Sequence, residues 1–374
     1  MSKQYLELVK ELTQNVVREH AFAVDKSGEF PKASIDAFLA SPLAGLLNGT
    51  AVGGMGLGLR QATKVVEQIA QYCGSTAMIV TMHYAGATVI EKLGTENARR
   101  DIATGKHLST LAFSERGSRS HFWVSDCTAE KHPKGIKLNG EKSWVTSSGH
   151  ATAFVWSSKP VDGDELSTLW LVPRESAGLL PSTDAFDGIG LRGNDSRPVT
   201  AKDVIIPDDN RLGEHGDGFK IMTETVLPSF NALIASVAVG IMEAATTATA
   251  TYASGTKLEH LGSPLAELPT MRAYIARMRC KTDMARALLL DTVSALEVGR
   301  EDAMLRVLQS KAVCGEAATE VADLAMRVCG GAAFRKDVGV DRHFRDAHAS
   351  TVMAPTTDQL YDFIGKAACG MDLF

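Results

Sequence analysis

The 374-residue sequence has no C-x-x-C pair. Its cysteines, Cys73, Cys127, Cys280, Cys314, Cys329 and Cys369, stand far apart, which excludes a zinc ribbon and argues against a disulfide framework. Reduced thiols, no metal site and a cytoplasmic location are the expectation. Charge of one sign is also missing: 39 Lys and Arg against 44 Asp and Glu leave a formal net charge of -5, so nucleic acid is not expected as a partner. No long apolar run opens the chain. M-S-K-Q-Y-L-E-L-V-K-E-L mixes charged and apolar residues at helical spacing, unlike a signal peptide. No run is read as long enough to cross a membrane, so no membrane partner is expected. Internal repeats and low-complexity tracts are absent too.

What is there is a soluble globular composition, 45% hydrophobic and 22% charged, long enough for more than one domain. Up to about residue 107 the apolar spacing is helical, as in Leu6, Leu8, Val9, Leu12 and Val16. The cluster Gly53-Gly54-Met55-Gly56-Leu57-Gly58 demands a loop; no strand of β-branched residues precedes it, so a tight turn between helices is favoured over a dinucleotide site. From 108 to 217 short β-rich runs take over: Ile136-Lys137-Leu138 before an Asn139-Gly140 turn, Ala153-Phe154-Val155-Trp156, Leu169-Trp170-Leu171-Val172 and Val204-Ile205-Ile206. Their spacing suits a small antiparallel barrel or sandwich. From 218 to 374 long alanine-rich helical segments near 232–253, 269–298 and 301–328 suggest a bundle, with a flexible piece at 254–264.

Five stretches carry a resemblance. Gly53-Gly54-Met55-Gly56-Leu57-Gly58 is followed by a helix with Glu67. Ala112-Phe113-Ser114-Glu115-Arg116-Gly117-Ser118-Arg119-Ser120-His121 is similar to a T-E-P-x-x-G-S-D segment. Leu138-Asn139-Gly140-Glu141-Lys142-Ser143-Trp144-Val145-Thr146-Ser147 matches I-N-G-x-K-x-W-I-T-N. Gly190-Leu191-Arg192-Gly193-Asn194-Asp195-Ser196 leads to Val204-Ile205-Ile206-Pro207. Val328-Cys329-Gly330-Gly331 precedes Arg345-Asp346-Ala347. In this order they resemble the acyl-CoA dehydrogenase superfamily. The resemblance implies an α+β, mainly α, fold: an N-terminal helical domain (1–107), a middle β-barrel (108–217) and a C-terminal four-helix bundle (218–374).

It also implies a flavin-dependent oxidoreductase holding FAD, with an acyl-CoA as small-molecule substrate and electron-transfer flavoprotein as partner. Thr146 would approach flavin N5, Trp144 would pack on the ring system, and Ser114 and Ser120 would bind the pyrimidine and phosphate sides. Read from residue type alone, Trp144 is a core tryptophan and Thr146 a strand-end threonine. Gly330 and Gly331 would let backbone approach the nucleotide half, or simply cap a helix. Thr356 and Asp358 fall on adenosine-contacting positions. Because that half of FAD is shared with a neighbouring subunit in the family, a homodimer or homotetramer is implied.

Departures fall on the same surface. An arginine before F-G is replaced by Leu258-Glu259-His260-Leu261-Gly262, where Lys257 or His260 would have to substitute. Arg116 and Arg119 are added cations that serve an anionic substrate or are solvated loop charges. Most telling, the family's usual general base, a glutamate shortly after R-D-A, falls on Ala354, followed by Pro355. An alternative base position on the first bundle helix falls on Phe230 or Asn231. The nearby groups able to take a proton are His121, His348, Asp358 and Glu115. Ser120-His121 and Pro355 resemble instead the two-component monooxygenase branch, which takes reduced flavin from a flavin reductase and for which FMN is an alternative cofactor. A non-catalytic flavin-binding subunit is the third reading.

Overall fold

The computed structural model describes residues 4–260 and 262–373. The chain opens with helices Gln4–Leu12 and Arg18–Ser27, joined by a π-helical turn at Thr13–Val17 where the Thr13 hydroxyl donates back to the Val9 carbonyl at 2.8 Å. The glycine cluster is a tight turn between helices. Gly53 takes φ 94°, Gly54 lies so close to the Asn48 carbonyl that a Cβ would sit 2.2 Å from its oxygen, and the Gly58 N–H is accepted by the Gln61 side chain at the start of Leu59–Ala70.

Eight strands form the middle of the chain: β1 (Ser109–Ala112), β2 (Thr128–His132), β3 (Gly135–Val145), β4 (Ala153–Ser158), β5 (Thr168–Pro173), β6 (Leu179–Pro181), β7 (Arg197–Ile206) and β8 (Arg211–Leu212). They make two four-stranded sheets, ordered β1-β4-β5-β8 and β2-β3-β7-β6, around one apolar core containing Phe154, Trp156, Trp170, Leu138, Val199 and Val204. All pairs are antiparallel except β1 with β4. The Asn139-Gly140 dipeptide is not a turn. β3 runs through it with a register break between Leu138 and Gly140, Asn139 pairs with Thr128, and a Cβ on Gly140 would strike the Cys127 sulfur at 2.3 Å. The dipeptide serves a bulge and a close crossing, a use of Asn-Gly that short-range pattern does not separate from a hairpin.

Three long helices, Leu227–Gly255, Pro269–Glu297 and Ala303–Cys329, form the bundle with the shorter Thr357–Ala368 packed on the third. Contrary to the sequence expectation, the stretch Gly218–Gly255 is long and apolar enough by composition to cross a membrane, but 89% of its most apolar window is buried inside the protein. It is apolar because it is the central core helix: the N-terminal helices and the bundle share one hydrophobic core around it. A Cβ on Gly240 would lie 2.4 Å from the Glu67 carbonyl, the measure of how closely Leu59–Ala70 crosses it.

Arg345 and Asp346 clasp the three parts together. The Arg345 guanidinium grips both oxygens of Asp25, at 2.8 and 2.6 Å, donates to the Ile189 carbonyl at 3.2 Å and reaches Asp341 at 3.0 Å. Buried Asp346 accepts the Leu191 N–H at 2.7 Å. Burial pushes the Asp346 carboxyl up to about 6 from its usual 3.8. Since that value lies above the unfolded one, its contribution to stability is full below about pH 4 and is lost as pH rises through about 6. Asp346→Asn keeps the acceptor for Leu191 and removes the buried charge. It is expected to unfold like the native protein near pH 4 and at higher temperature near pH 8, a gain of at most about 3 kcal/mol. A melting-temperature difference that does not change with pH contradicts this.

Candidate active site

The geometry of the candidate site begins with one buried ion pair. Lys142, on β3, has a side chain 0% exposed and is paired with Glu115, 6% exposed, in the loop after β1. A lysine ammonium has three donors, and the surroundings supply further acceptors: the Ser157 hydroxyl at 2.8 Å, the Ser125 hydroxyl at 3.3 Å and the Phe113 carbonyl at 3.4 Å. Glu115 in turn accepts the Asp126 N–H and the Ser125 hydroxyl, both at 2.6 Å, and the Cys127 N–H at 3.4 Å. Burial alone would raise the Glu115 carboxyl, but the Lys142 charge and these donors hold it below the ordinary glutamate value. Glu115 is therefore committed to Lys142 and is not a free base.

The pair fixes two segments against each other. Ser143 donates its N–H to the Ser114 carbonyl at 2.8 Å, and immediately beyond it the β3–β7 register breaks between Lys142 and Val145. Within the break Trp144 adopts φ 56° and is 70% exposed. The core-tryptophan reading is therefore wrong: a bulge has turned the indole outward. Thr146 is buried, its carbonyl accepting the Thr110 hydroxyl at 2.9 Å. Ser147, at φ 58°, donates its N–H to Asn194 O at 2.9 Å, and Gly149 N–H reaches Asp195 at 2.7 Å. Among the described residues six non-glycine residues have positive φ, and all but Asp203 lie in the motif segments, namely Arg119, Trp144, Ser147, Leu191 and Asp195. Such backbone is retained only where its surroundings over-determine it.

A second junction joins the loop after β1 to the bundle. The Thr356 N–H donates to the Ser120 hydroxyl at 3.1 Å, and the two hydroxyls lie 3.4 Å apart. Thr356 also caps Thr357–Ala368 by accepting the Gln359 N–H at 3.4 Å. Ser120 and Thr356 are thus brought together, with partly buried Ala354 two residues before Thr356 and exposed Asp358 two residues after it. Asn231 is fully buried with its amide on Val307 O at 3.5 Å, and Phe230 is half-buried, so the alternative base position holds no carboxylate.

His348 is exposed, its Nδ1 lies 2.7 Å from the Phe344 carbonyl and its ring rests beside that residue's ring. It is held by its own helix and not brought to the site. His121 is exposed, its ring edge-on to Trp123 at 5.4 Å, and lines a cleft of about 670 Å³ with Trp123, Phe219, Gln359, Phe363 and Lys366. Only His121 of this cleft was anticipated, since scattered aromatics on three elements have no linear spacing. Lys142 was missed as well, although its place inside the N-G-x-K-x-W stretch was a usable signal.

The pair Gly330-Gly331 ends Ala303–Cys329, with Gly330 at φ 56° and, among the described residues, no atom beyond the adjacent residues within 4 Å of a Cβ built on either. Phe334 just beyond is 84% exposed. The helix-cap reading holds, Gly330 donating its N–H to the Met326 carbonyl, and the backbone of the pair lies open. That open backbone and the outward indole fit a planar, phosphate-bearing cofactor such as FAD. Lys257, His260, Arg116 and Arg119 are exposed, while Leu261 lies outside the described residues. No cluster of three or more His, Cys, Asp or Glu able to hold a metal occurs among the described residues.

Family models match in three consecutive blocks: the acyl-CoA dehydrogenase N-terminal domain over residues 2–105, its middle domain over 110–204 and its C-terminal domain over 216–369. The chain is 28% identical over 360 residues to the probable acyl-CoA dehydrogenase YngJ of Bacillus subtilis, covering 94% of this chain and 93% of that protein. It is 29% identical over 348 residues to the mitochondrial short-chain specific acyl-CoA dehydrogenase of Bos taurus, covering 90% and 82%. Among solved structures, butyryl-CoA dehydrogenase from Megasphaera elsdenii superposes with a TM-score of 0.92 at 23% identity, over 98% of this chain and 97% of that one.

Removing one member of a buried pair strands the other charge. Lys142→Met and Glu115→Gln are each expected to cost about 3–5 kcal/mol, and the double variant less than the sum. Thermal or denaturant unfolding of the four proteins reads the coupling. Additive losses would mean that the pair is not the organising contact.

Proposed function

The chain belongs to the acyl-CoA dehydrogenase family of flavin-dependent oxidoreductases, and on that footing we propose that it oxidises a CoA thioester, or a related small acid derivative, without the usual carboxylate base. The observation that carries this reading is the joint placement of Ser114, Trp144 and Thr146 by the buried Glu115–Lys142 pair, next in the chain to the Ser120–Thr356 junction. Those residues fit FAD, the cofactor of the family; nothing favours FMN. Bound FAD would supply the two-electron acceptor. The chain's own residues would hold it: Trp144 against the ring, Thr146, Ser114 and Ser120 along the polar edge, Thr356 and Asp358 on the bundle side, and Gly330-Gly331 where backbone must come close.

Oxidation of a saturated thioester requires a base for the α-proton as a hydride leaves the β-carbon. Ala354 offers none, and His348 and Glu115 are engaged elsewhere. Of the groups named from the sequence, His121 and Asp358 remain, and a substrate whose α-proton is already acidic would lessen the demand. Exposed Phe334 beside Gly330-Gly331 suits a second copy of the chain, consistent with a homodimer or homotetramer. Electron-transfer flavoprotein is the proposed electron partner and the cytoplasm the proposed location. The second reading, a reduced-flavin-dependent monooxygenase served by a flavin reductase, rests on His121, which lines the aromatic cleft.

The test is anaerobic. FAD-loaded protein is mixed with acyl-CoA esters: bleaching of the flavin by a thioester supports the proposal, and turnover only with reduced flavin and oxygen overturns it in favour of the second reading. Ala354→Glu with Pro355→Gly restores a carboxylate to the vacant position and is expected to raise dehydrogenation of saturated acyl-CoA by about 100-fold to 10,000-fold. No change would mean that the thioester does not lie against this turn. Because nothing lies within 4 Å of a Cβ at Gly331, Gly331→Arg is expected to fold normally yet lose FAD in a fluorescence titration. Unchanged affinity would remove Gly331 from the cofactor site.

A further inference from the structure

Lys311 is a second lysine with no exposed surface, set a third of the way along Ala303–Cys329, the bundle helix that touches each of the other three. Unlike Lys142 it has no carboxylate. Its ammonium meets three main-chain carbonyls: Pro355 at 2.7 Å, Met353 at 2.9 Å and Ser350 at 3.1 Å. Three donors face three acceptors, all from one turn of the chain. Ser350 lies in the short helix Ala349–Val352 and Met353 follows it, where carbonyls run out of intrahelical partners and favour a cation. Burial, with no carboxylate beside it, pushes Lys311 down to about 7. The core opposes this charge, and the three carbonyls of the turn are the groups that favour it.

The turn so held contains Ala354, and the next residue after Pro355 is Thr356, whose N–H rests on Ser120. We propose that Lys311 is a positioning residue: its ammonium sets the 350–355 turn from inside the bundle and, through Thr356 and Ser120, keeps the two sides of the candidate site in register. Backbone carbonyls are available whatever side chain stands at 354, so the device works without the missing glutamate. That explains why the turn keeps a defined geometry in a chain that has lost its acid. The consequence for flavin rests on the FAD reading above; the ordering of the turn does not.

Hydrogen exchange read by mass spectrometry separates the two. A peptide covering 349–357 reports the amides of Thr351, Met353 and Thr356, which donate to His348, Ala349 and Ser120. In Lys311→Met, similar in length but without donors, exchange of this peptide should rise about tenfold or more while peptides from Leu227–Gly255 and Pro269–Glu297 exchange as in the native protein. Lys311→Arg, which keeps charge and donors, should restore protection. In parallel, the visible spectrum of added FAD should shift in the Met variant and return in the Arg variant. Native exchange of the turn in Lys311→Met, or acceleration no greater than in the bundle helices, overturns the proposal. So does an Arg variant with native bundle exchange whose turn stays as fast as in Met. If Lys311→Met does not fold, Lys311→Gln, with two donors on a shorter arm, takes its place with the same outcomes. Failure of the native protein to bind FAD would sink the cofactor reading and leave the exchange result standing.

Discussion

The buried contact between Lys142 and Glu115 is the constraint on which the site depends. Two charges removed from water are costly, and they persist only if each is met by a partner and by further hydrogen bonds. Here Ser125, Ser157, Phe113 O and the N–H groups of Asp126 and Cys127 complete the shell. Because its members come from β3, from β4 and from the loop between β1 and β2, satisfying the pair fixes where β3 ends relative to that loop. Trp144 is two residues from Lys142 and Ser114 one residue from Glu115, so the indole and the neighbouring polar groups inherit their positions from it. An apolar pair could fill the space, but it would not demand this single alignment.

A second set of polar contacts joins the three parts of the chain. Arg345 ties the first helices, through Asp25, to the Ile189 carbonyl, and Asp346 receives Leu191. The N-terminal helices and the bundle share one core, and a second core packs Leu111, Val155, Leu169 and Leu212 of the first sheet against Met78, Ile234, Leu308 and Leu360 of the helices, so the clasp adds directional polar contacts to an apolar junction. The R-D-A stretch therefore works as mechanical linkage, and the turn that follows it is where chemistry would occur. Separation of these tasks lets the residue at 354 change without loss of fold.

Much of this was legible in the sequence. Helical spacing placed the three bundle helices to within a few residues at most ends, and β-branched runs marked β4, β5 and β7. The motifs named Ser114, Ser120, Trp144, Thr146 and Thr356, and the structure places Ser120 against Thr356 and Trp144 on the surface. What failed was local pattern read without tertiary context. Asn139-Gly140 has the composition of a hairpin turn but lies in a bulge beside Cys127, and Gly218–Gly255 is as apolar as a membrane helix because its middle is buried in the core, with residues such as Lys220, Glu224 and Thr251 exposed towards its ends. Lys142 and Lys311 escaped because lysine is ordinarily a surface residue, and only assembled neighbours reveal a buried ammonium. The cleft beside His121 is built from residues too far apart in the chain to form a motif.

The most direct measurement is a structure of the protein with FAD bound. The account predicts the flavin ring against the Trp144 indole, with Thr146 at its edge, the 350–356 turn on the substrate side and the nucleotide half near Gly330-Gly331 of a second copy. A flavin lodged instead in the cleft beside His121 and Trp123, with Trp144 still facing solvent, would contradict it.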